Sequence, residues 1–220
     1  MSHRYTATQT SARTAGIMVL FTIAFTAPMA GTYNATRPAI EASAQEGKMR
    51  LINDVLPPAS YDNALLEDYV TLGPTVQLGL DQGGLVYRAR RGGAPAGLVL
   101  EAVANDGYAG RIQLVVAVAA DGKLTGVRVV SHKETPGLGD YIDPRKDRNK
   151  DKPWITQFAG VSFDQVGADK WKVGKDGGAF TYRIGATISA RAVTNATRRA
   201  LEFAATHREA LFAAQPGTAL

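Results

Sequence analysis

Residues 14–36 contain no Asp, Glu, Lys or Arg, and residues 16–27 at their centre are almost wholly apolar. A helix crossing the hydrocarbon core of a bilayer needs about 20 consecutive residues of this kind. The run is just long enough, so it predicts one transmembrane helix over residues 14–36, with residues 1–13 on one side and everything else on the other. A cleaved signal peptide is the alternative: Arg4 and Arg13 precede the run and its most apolar part is short. Ala27-Pro28-Met29-Ala30 makes a poor cleavage site, however, because Pro28 sits where a small residue is wanted. Flanking charges do not fix the orientation. Arg4 and Arg13 before the run are balanced by Arg37, Lys48 and Arg50 after it.

Residues 37–60 read as a polar, partly helical stalk that Pro57-Pro58 brings to a stop. Residues 61–215 are long enough to build a folded domain without covalent staples. Strand signals begin at 85–90 and 97–103, which are separated by Gly92-Gly93. The runs 111–118 and 124–131 flank Asp121-Gly122, and Asp-Gly between two β-rich runs is the strongest short-range hairpin signal. In the second of these runs Val127 and Val129 share one face, while Arg128 and Val130 lie on a partly wet one. Residues 179–182 read as a further strand. Apolar positions at Val193, Ala196, Ala200, Leu201 and Ala204 mark a long helix over about 189–212. The expected fold is α+β: one N-terminal transmembrane helix followed by an antiparallel sheet packed with helices.

Composition removes several functional classes. The chain of 220 residues has no cysteine, which excludes metal-thiolate sites, iron–sulfur ligation and c-type haem attachment. Redox chemistry in such a chain rests on an organic cofactor or on a partner's metal. The net charge is +5. The densest basic run, residues 145–152, is diluted by Asp147 and Asp151 and has no interleaved aromatics. It reads as a solvated loop, able at most to meet an acidic partner or lipid headgroups, and not as a nucleic-acid surface. No Gly-x-Ser-x-Gly elbow or metal-binding His pair supports a hydrolase.

Three stretches carry chemical information. The first is Gly185-Ala186-Thr187-Ile188-Ser189, between a strand and a helix. Its small residues allow close approach of a backbone or ligand, and the free N–H groups and dipole of the following helix favour an anion such as phosphate. The plain alternative makes Thr187 or Ser189 an ordinary helix cap. The second stretch is His132-Lys133-Glu134-Thr135-Pro136-Gly137-Leu138-Gly139, a turn-rich loop after a strong strand that exposes backbone beside several polar side chains. As a surface turn it needs no function, and His132 has no Asp–Ser partners at suggestive spacing. The third is Trp154-Ile155-Thr156-Gln157-Phe158-Ala159-Gly160, whose aromatics at i and i+4 share a helical face and pack on the sheet.

Taken in chain order behind one anchor, 132–139, 154–160 and 185–189, the three stretches resemble the FMN-binding domain family of membrane electron-transport complexes. That family includes the G subunit of the Rnf ion-translocating electron transport complex and, as a near relative, the C subunit of the Na+-translocating NADH:quinone oxidoreductase. The resemblance covers the chain from about Arg37 to the C-terminal helix, together with the anchor. It rests most specifically on residues 132–139, with Trp154, Phe158-Ala159-Gly160 and Gly185-Ala186-Thr187 in support. It implies FMN joined through its phosphate to the Thr187 hydroxyl by a phosphodiester bond that a separate flavin transferase makes. Gly185, Ala186, Ile188 and Ser189 would surround that attachment. His132, Glu134, Thr135, Pro136, Gly137, Leu138 and Gly139 would approach the isoalloxazine ring. It further implies a bacterial inner-membrane protein with a cytoplasmic N-terminus and a periplasmic domain. Such a protein relays electrons among other membrane and peripheral subunits, has no catalytic residues and binds no metal. Two positions depart from the family pattern. Ile184 stands where a Ser or Thr usually precedes Gly-Ala-Thr, and Thr181 stands where an Asp is usual. A C-subunit-like component and a non-redox periplasmic scaffold are the alternative functions.

Overall fold

A computed structural model describes residues 7–220. The chain divides into two units, residues 1–48 and 49–220. One helix, α1 (Ala7–Val55), begins in the first unit and ends in the second, with Pro28 and Pro38 inside it. Within the first unit Ile17, Met18, Val19, Leu20, Phe21, Ile23 and Phe25 are all exposed. A stretch this apolar with no protein covering it suits a hydrocarbon surrounding, and α1 is long and apolar enough to cross a membrane. The expected anchor and much of the expected stalk thus lie on one helix.

The second unit is a five-stranded antiparallel meander in the order β1-β2-β3-β4-β5. Its strands are β1 (Tyr69–Leu72), β2 (Gly84–Arg91), β3 (Ala94–Gly107), β4 (Gly110–Ala119) and β5 (Leu124–Ser131). The two glycine-marked turns fall where the sequence puts them. Gly92 and Gly93 join β2 to β3, and Gly122, at φ +81°, turns β4 into β5. Strand alternation sends Val86, Leu98, Leu100, Val116, Val127 and Val129 to one face. There they bury against the long helix α2 (Thr187–Ala213) and the short 3-10 turns. The other face carries Tyr87, Ala89, Val99 and Ala117 and is covered by Ile52, Val55, Leu56 and Leu65. The end of α1 therefore supplies core to the domain. Gly126 permits this approach, since a Cβ there would lie 2.8 Å from Val55 Cα. On β5 the expected alternation holds: Val127 and Val129 are buried and Val130 is 37% exposed.

Two secondary-structure expectations change. Residues 179–182 form no strand; a single bridge joins Phe180 to Val173. Their polar groups are satisfied by loops instead: Trp154 Nε1 donates to the Thr181 carbonyl at 2.7 Å, and Gln157 Oε1 accepts from the Thr181 N–H at 2.8 Å. Conversely, Tyr69–Leu72 is a strand that local pattern did not reveal. Its outer edge is covered by the chain's own end: Thr71 N–H donates to Thr218 O at 2.9 Å and Gly73 N–H to Leu220 O at 3.1 Å. The C-terminus of α2 is pinned from within the sheet. Arg88, fully buried on β2, donates to the Leu211 carbonyl at 2.9 Å and to that of Ala214, and pairs with Asp68.

Candidate functional site

Three segments meet beside the N-terminus of α2: the β3–β4 turn, the loop after β5, and the turn at 183–186. Together they enclose an open cleft of about 230 Å³. Its walls are Tyr108, Glu134, Thr135, Leu138, Gly139, Gly185, Ala186, Ile188 and Ser189. Two stretches separated by more than forty positions in sequence thus form one site. Tyr108, 68% exposed on the β3–β4 turn, was not among the residues singled out from sequence. A lone aromatic in a Gly-rich hairpin turn is the signal that could have found it.

Glu134 organises the site. It is buried and accepts from Ser189 Oγ on α2 and from the Ala109 N–H at 3.1 Å, so it ties its own loop to the β3–β4 turn and to the first turn of α2. Two glycines make room for it. A Cβ on Gly139 would sit 2.5 Å from Ser189 Oγ and 2.8 Å from Glu134 Oε2. One on Gly107 would sit 2.9 Å from Glu134 Oε1. Their role is close approach rather than backbone freedom. His132 lies outside the cleft. Its Nδ1 accepts from the Glu134 N–H at 3.1 Å, bracing the loop from behind, and its ring lines a separate open cleft of about 620 Å³ with Lys133, Arg111 and Glu101. Pro136 and Gly137 are exposed and form the outer bend, where the Gly137 N–H donates to Asp140 Oδ1 at 2.9 Å.

The helix start departs from the capping alternative. Ala186 is the cap position, and no side chain bonds to the first-turn N–H groups. Thr187 is the first residue inside the helix, and Ser189 donates its hydroxyl to Glu134 instead of accepting from the backbone. The first turn also contains no acid. The positive end of a 27-residue helix is therefore left open toward the cleft. Thr187 itself is 8% exposed and is not a cleft wall; its neighbours Ala186 and Ile188 are.

The turn leading into α2 is held from below. The Ala186 N–H donates to the Arg183 carbonyl at 3.1 Å, and Gly185, at φ +88°, occupies the third position of this four-residue turn, where a positive φ is required. Arg183 pairs with the buried Asp147 and lies 4.4 Å over the Tyr141 ring. Burial alone would raise the Asp147 pKa. Hydrogen bonds from the Trp154 and Asn149 N–H groups and the Arg183 guanidinium outweigh it and hold the carboxyl below its ordinary range. Asp143 behaves alike: burial opposes ionisation, but Arg145 overrides it. Asp147, read from sequence as diluting the basic run, is thus buried and committed to Arg183. The expected aromatic pair is formed, with Trp154 and Phe158 rings 5.5 Å apart, edge to face.

An FMN-binding domain model matches residues 107–202, and a model of the RnfG N-terminal region matches residues 1–55. The G subunit of the ion-translocating oxidoreductase complex of Pseudomonas aeruginosa is 41% identical over 201 residues, covering 91% of this chain and 92% of that one. The chain belongs to the family of G subunits of ion-translocating oxidoreductase complexes. Another member, from Pseudoalteromonas atlantica, is 39% identical over 90% of both chains. A solved structure, that of Shewanella oneidensis NqrC, is 23% identical over 73% of each chain, with a TM-score of 0.45. The FMN-binding match spans the β3–β4 turn, the 132–139 loop and the start of α2, so it contains every wall of the cleft. In this member of the family the cleft fits a flavin mononucleotide by its chemistry. Tyr108, Leu138 and Ile188 offer apolar surface for a flat ring, and the first turn of α2, which has no acid of its own and no side-chain cap, offers N–H donors for a phosphate beside the Glu134 carboxylate that Ser189 holds.

Proposed function

We propose that this protein is a single-pass inner-membrane electron-transfer subunit whose periplasmic domain carries FMN, esterified through its phosphate to Thr187. The observation that carries the reading is the convergence of the 132–139 loop with Gly185 and Ala186, the two residues before Thr187, on one cleft at the N-terminus of α2. A phosphodiester on Thr187 would keep its negative charge against that helix end. Gly185 leaves space beside it, since nothing lies within 4 Å of a Cβ placed there.

Joining a phosphate monoester to a hydroxyl in water needs an activated donor, and a flavin dinucleotide pyrophosphate is the class that supplies one. Thr187 Oγ attacks the flavin-side phosphorus, and a new O–P bond forms. The pyrophosphate P–O bond breaks, a nucleoside monophosphate leaves, and the hydroxyl proton passes to a base of the flavin transferase.

Bound FMN supplies electron transfer at a potential set by its surroundings. The protein's part is to hold and shield. Leu138 and Ile188 would present apolar walls to the ring, and Glu134 keeps its loop docked on α2. Other membrane and peripheral subunits of the complex supply donor and acceptor.

The test is denaturing-gel fluorescence of the full chain from its native membrane. A fluorescent band that survives in Thr187→Ser and vanishes in Thr187→Val supports the ester. A non-fluorescent wild-type chain would favour the scaffold alternative.

A further inference from the structure

The turn that presents Thr187 is built around a phenol. The Arg183 N–H donates to the Tyr141 hydroxyl at 3.2 Å, and that hydroxyl in turn faces the Ala186 carbonyl at 3.3 Å as donor. One oxygen thus closes the first and last residues of the 183–186 turn, in parallel with the turn's own Ala186-to-Arg183 bond. The ring beneath is completely buried and fixed on two sides. Trp154 meets it edge to face at 5.4 Å, and the Arg183 guanidinium lies over its face. Arg183 is in turn anchored by Asp147.

This stack lies outside the cleft walls, and none of its side chains is among them. Above it, the turn has little else. Ile184 is 93% exposed, Gly185 has open space around it, and the helix cap has no side-chain bond. Ile184 is exposed and Gly185 has no side chain, so the turn is held by its own Ala186-to-Arg183 bond and by the phenol. Burial pushes the Tyr141 pKa up, against the opposing pull of the Arg183 N–H and charge, so the hydroxyl stays a donor well past neutral pH.

We infer that Tyr141, steadied by Arg183 and Asp147, is a positioning residue for flavin attachment: its hydroxyl holds the 183–186 turn in the one conformation that the flavin transferase accepts. This rests on the attachment reading above. A chain that populates the competent turn only part of the time binds the transferase with an apparent affinity reduced by that fraction. Losing the phenol therefore acts on KM.

The experiment uses the full chain, purified unflavinylated in detergent, with flavin transferase and flavin dinucleotide, and follows the appearance of covalent fluorescence against chain concentration. Tyr141→Phe keeps the ring and its packing and removes only the hydroxyl. Its KM is expected to rise about tenfold, the scale of one or two lost buried hydrogen bonds, with kcat little changed. Its unfolding midpoint must lie well above the assay temperature, so that a global loss of fold cannot produce the shift. Arg183→Met leaves the phenol in place but loosens it, and a KM rise of about threefold is expected. If Tyr141→Phe does not accumulate, Arg183→Met carries the test alone. An unchanged KM in the folded variants overturns the inference, as does a loss confined to kcat, which would put the phenol in the chemistry. A wild-type chain that never acquires covalent flavin overturns the attachment reading itself. Flavinylated wild type with an equal KM in both variants overturns the clamp alone.

Discussion

Gly139→Ala probes the joint between the two halves of the site. The added methyl would lie 2.5 Å from Ser189 Oγ and 2.8 Å from Glu134 Oε2, far inside ordinary contact, and 3.2 Å from Glu134 Cβ. All three atoms belong to the bond between the 132–139 loop and α2, so they cannot give way without breaking it. Overpacking costs about 1–3 kcal/mol, and losing a hydrogen bond to a charged group a similar amount. The two overlap, because the same displacement causes both, which gives roughly 3 kcal/mol in total. For a unit of this size that lowers the thermal midpoint by roughly 6–12 °C. Gly137→Ala is the control. Nothing lies within 4 Å of its Cβ, and its φ of +75° adds only backbone strain, about 1 kcal/mol. Thermal unfolding of both variants in detergent, with flavin content measured in parallel, makes the comparison. Gly139→Ala is expected to be the less stable and to hold less flavin. A midpoint at or above that of Gly137→Ala would refute the argument that close packing at Glu134 assembles the cleft.

Arg88→Met removes the buried guanidinium that joins β2 to the end of α2. It should cost about 3 kcal/mol in denaturant unfolding, and a loss under about 1 kcal/mol would show that Arg90 suffices. Asp143 and Asp147 titrate below the ordinary carboxyl range in the folded chain. The stability they contribute is therefore complete above about pH 4 and is lost as pH falls through their depressed values. Unfolding measured from pH 5 to pH 2 should fall less steeply in Asp147→Asn than in wild type, and parallel slopes would contradict this.

Much of the fold is written in local pattern. Gly92-Gly93 and Asp121-Gly122 announce two hairpins because the turn residues decide them within a few positions. The start of α2 is legible for the same reason, to within two residues. Tyr69–Leu72 is not, because its edge partner is the chain end at 218–220, nearly 150 positions away. Residues 179–182 mislead because the Thr181 backbone bonds to loop side chains and Phe180 packs on Phe158 and Trp171 rather than beside a neighbouring strand. At the site, residues 134–139 and 185–189 could be named, but not how they meet. Glu134 becomes the organiser only when folding brings Ser189 and Ala109 to it. Tyr141 stays silent in sequence because its role depends on a turn more than forty residues off, and Arg183 because its role depends on stacking over that distant ring. The acid at 147 looks like a surface diluent until burial assigns it to Arg183.

The most direct test of the account is peptide mass spectrometry. Arg183 and Arg191 flank Thr187, so trypsin releases residues 184–191 as one peptide. In protein from its native membrane that peptide should carry the mass of FMN less one water, and fragmentation should place it on Thr187. An unmodified peptide, or a flavin located on Ser189 or elsewhere in the chain, would contradict it.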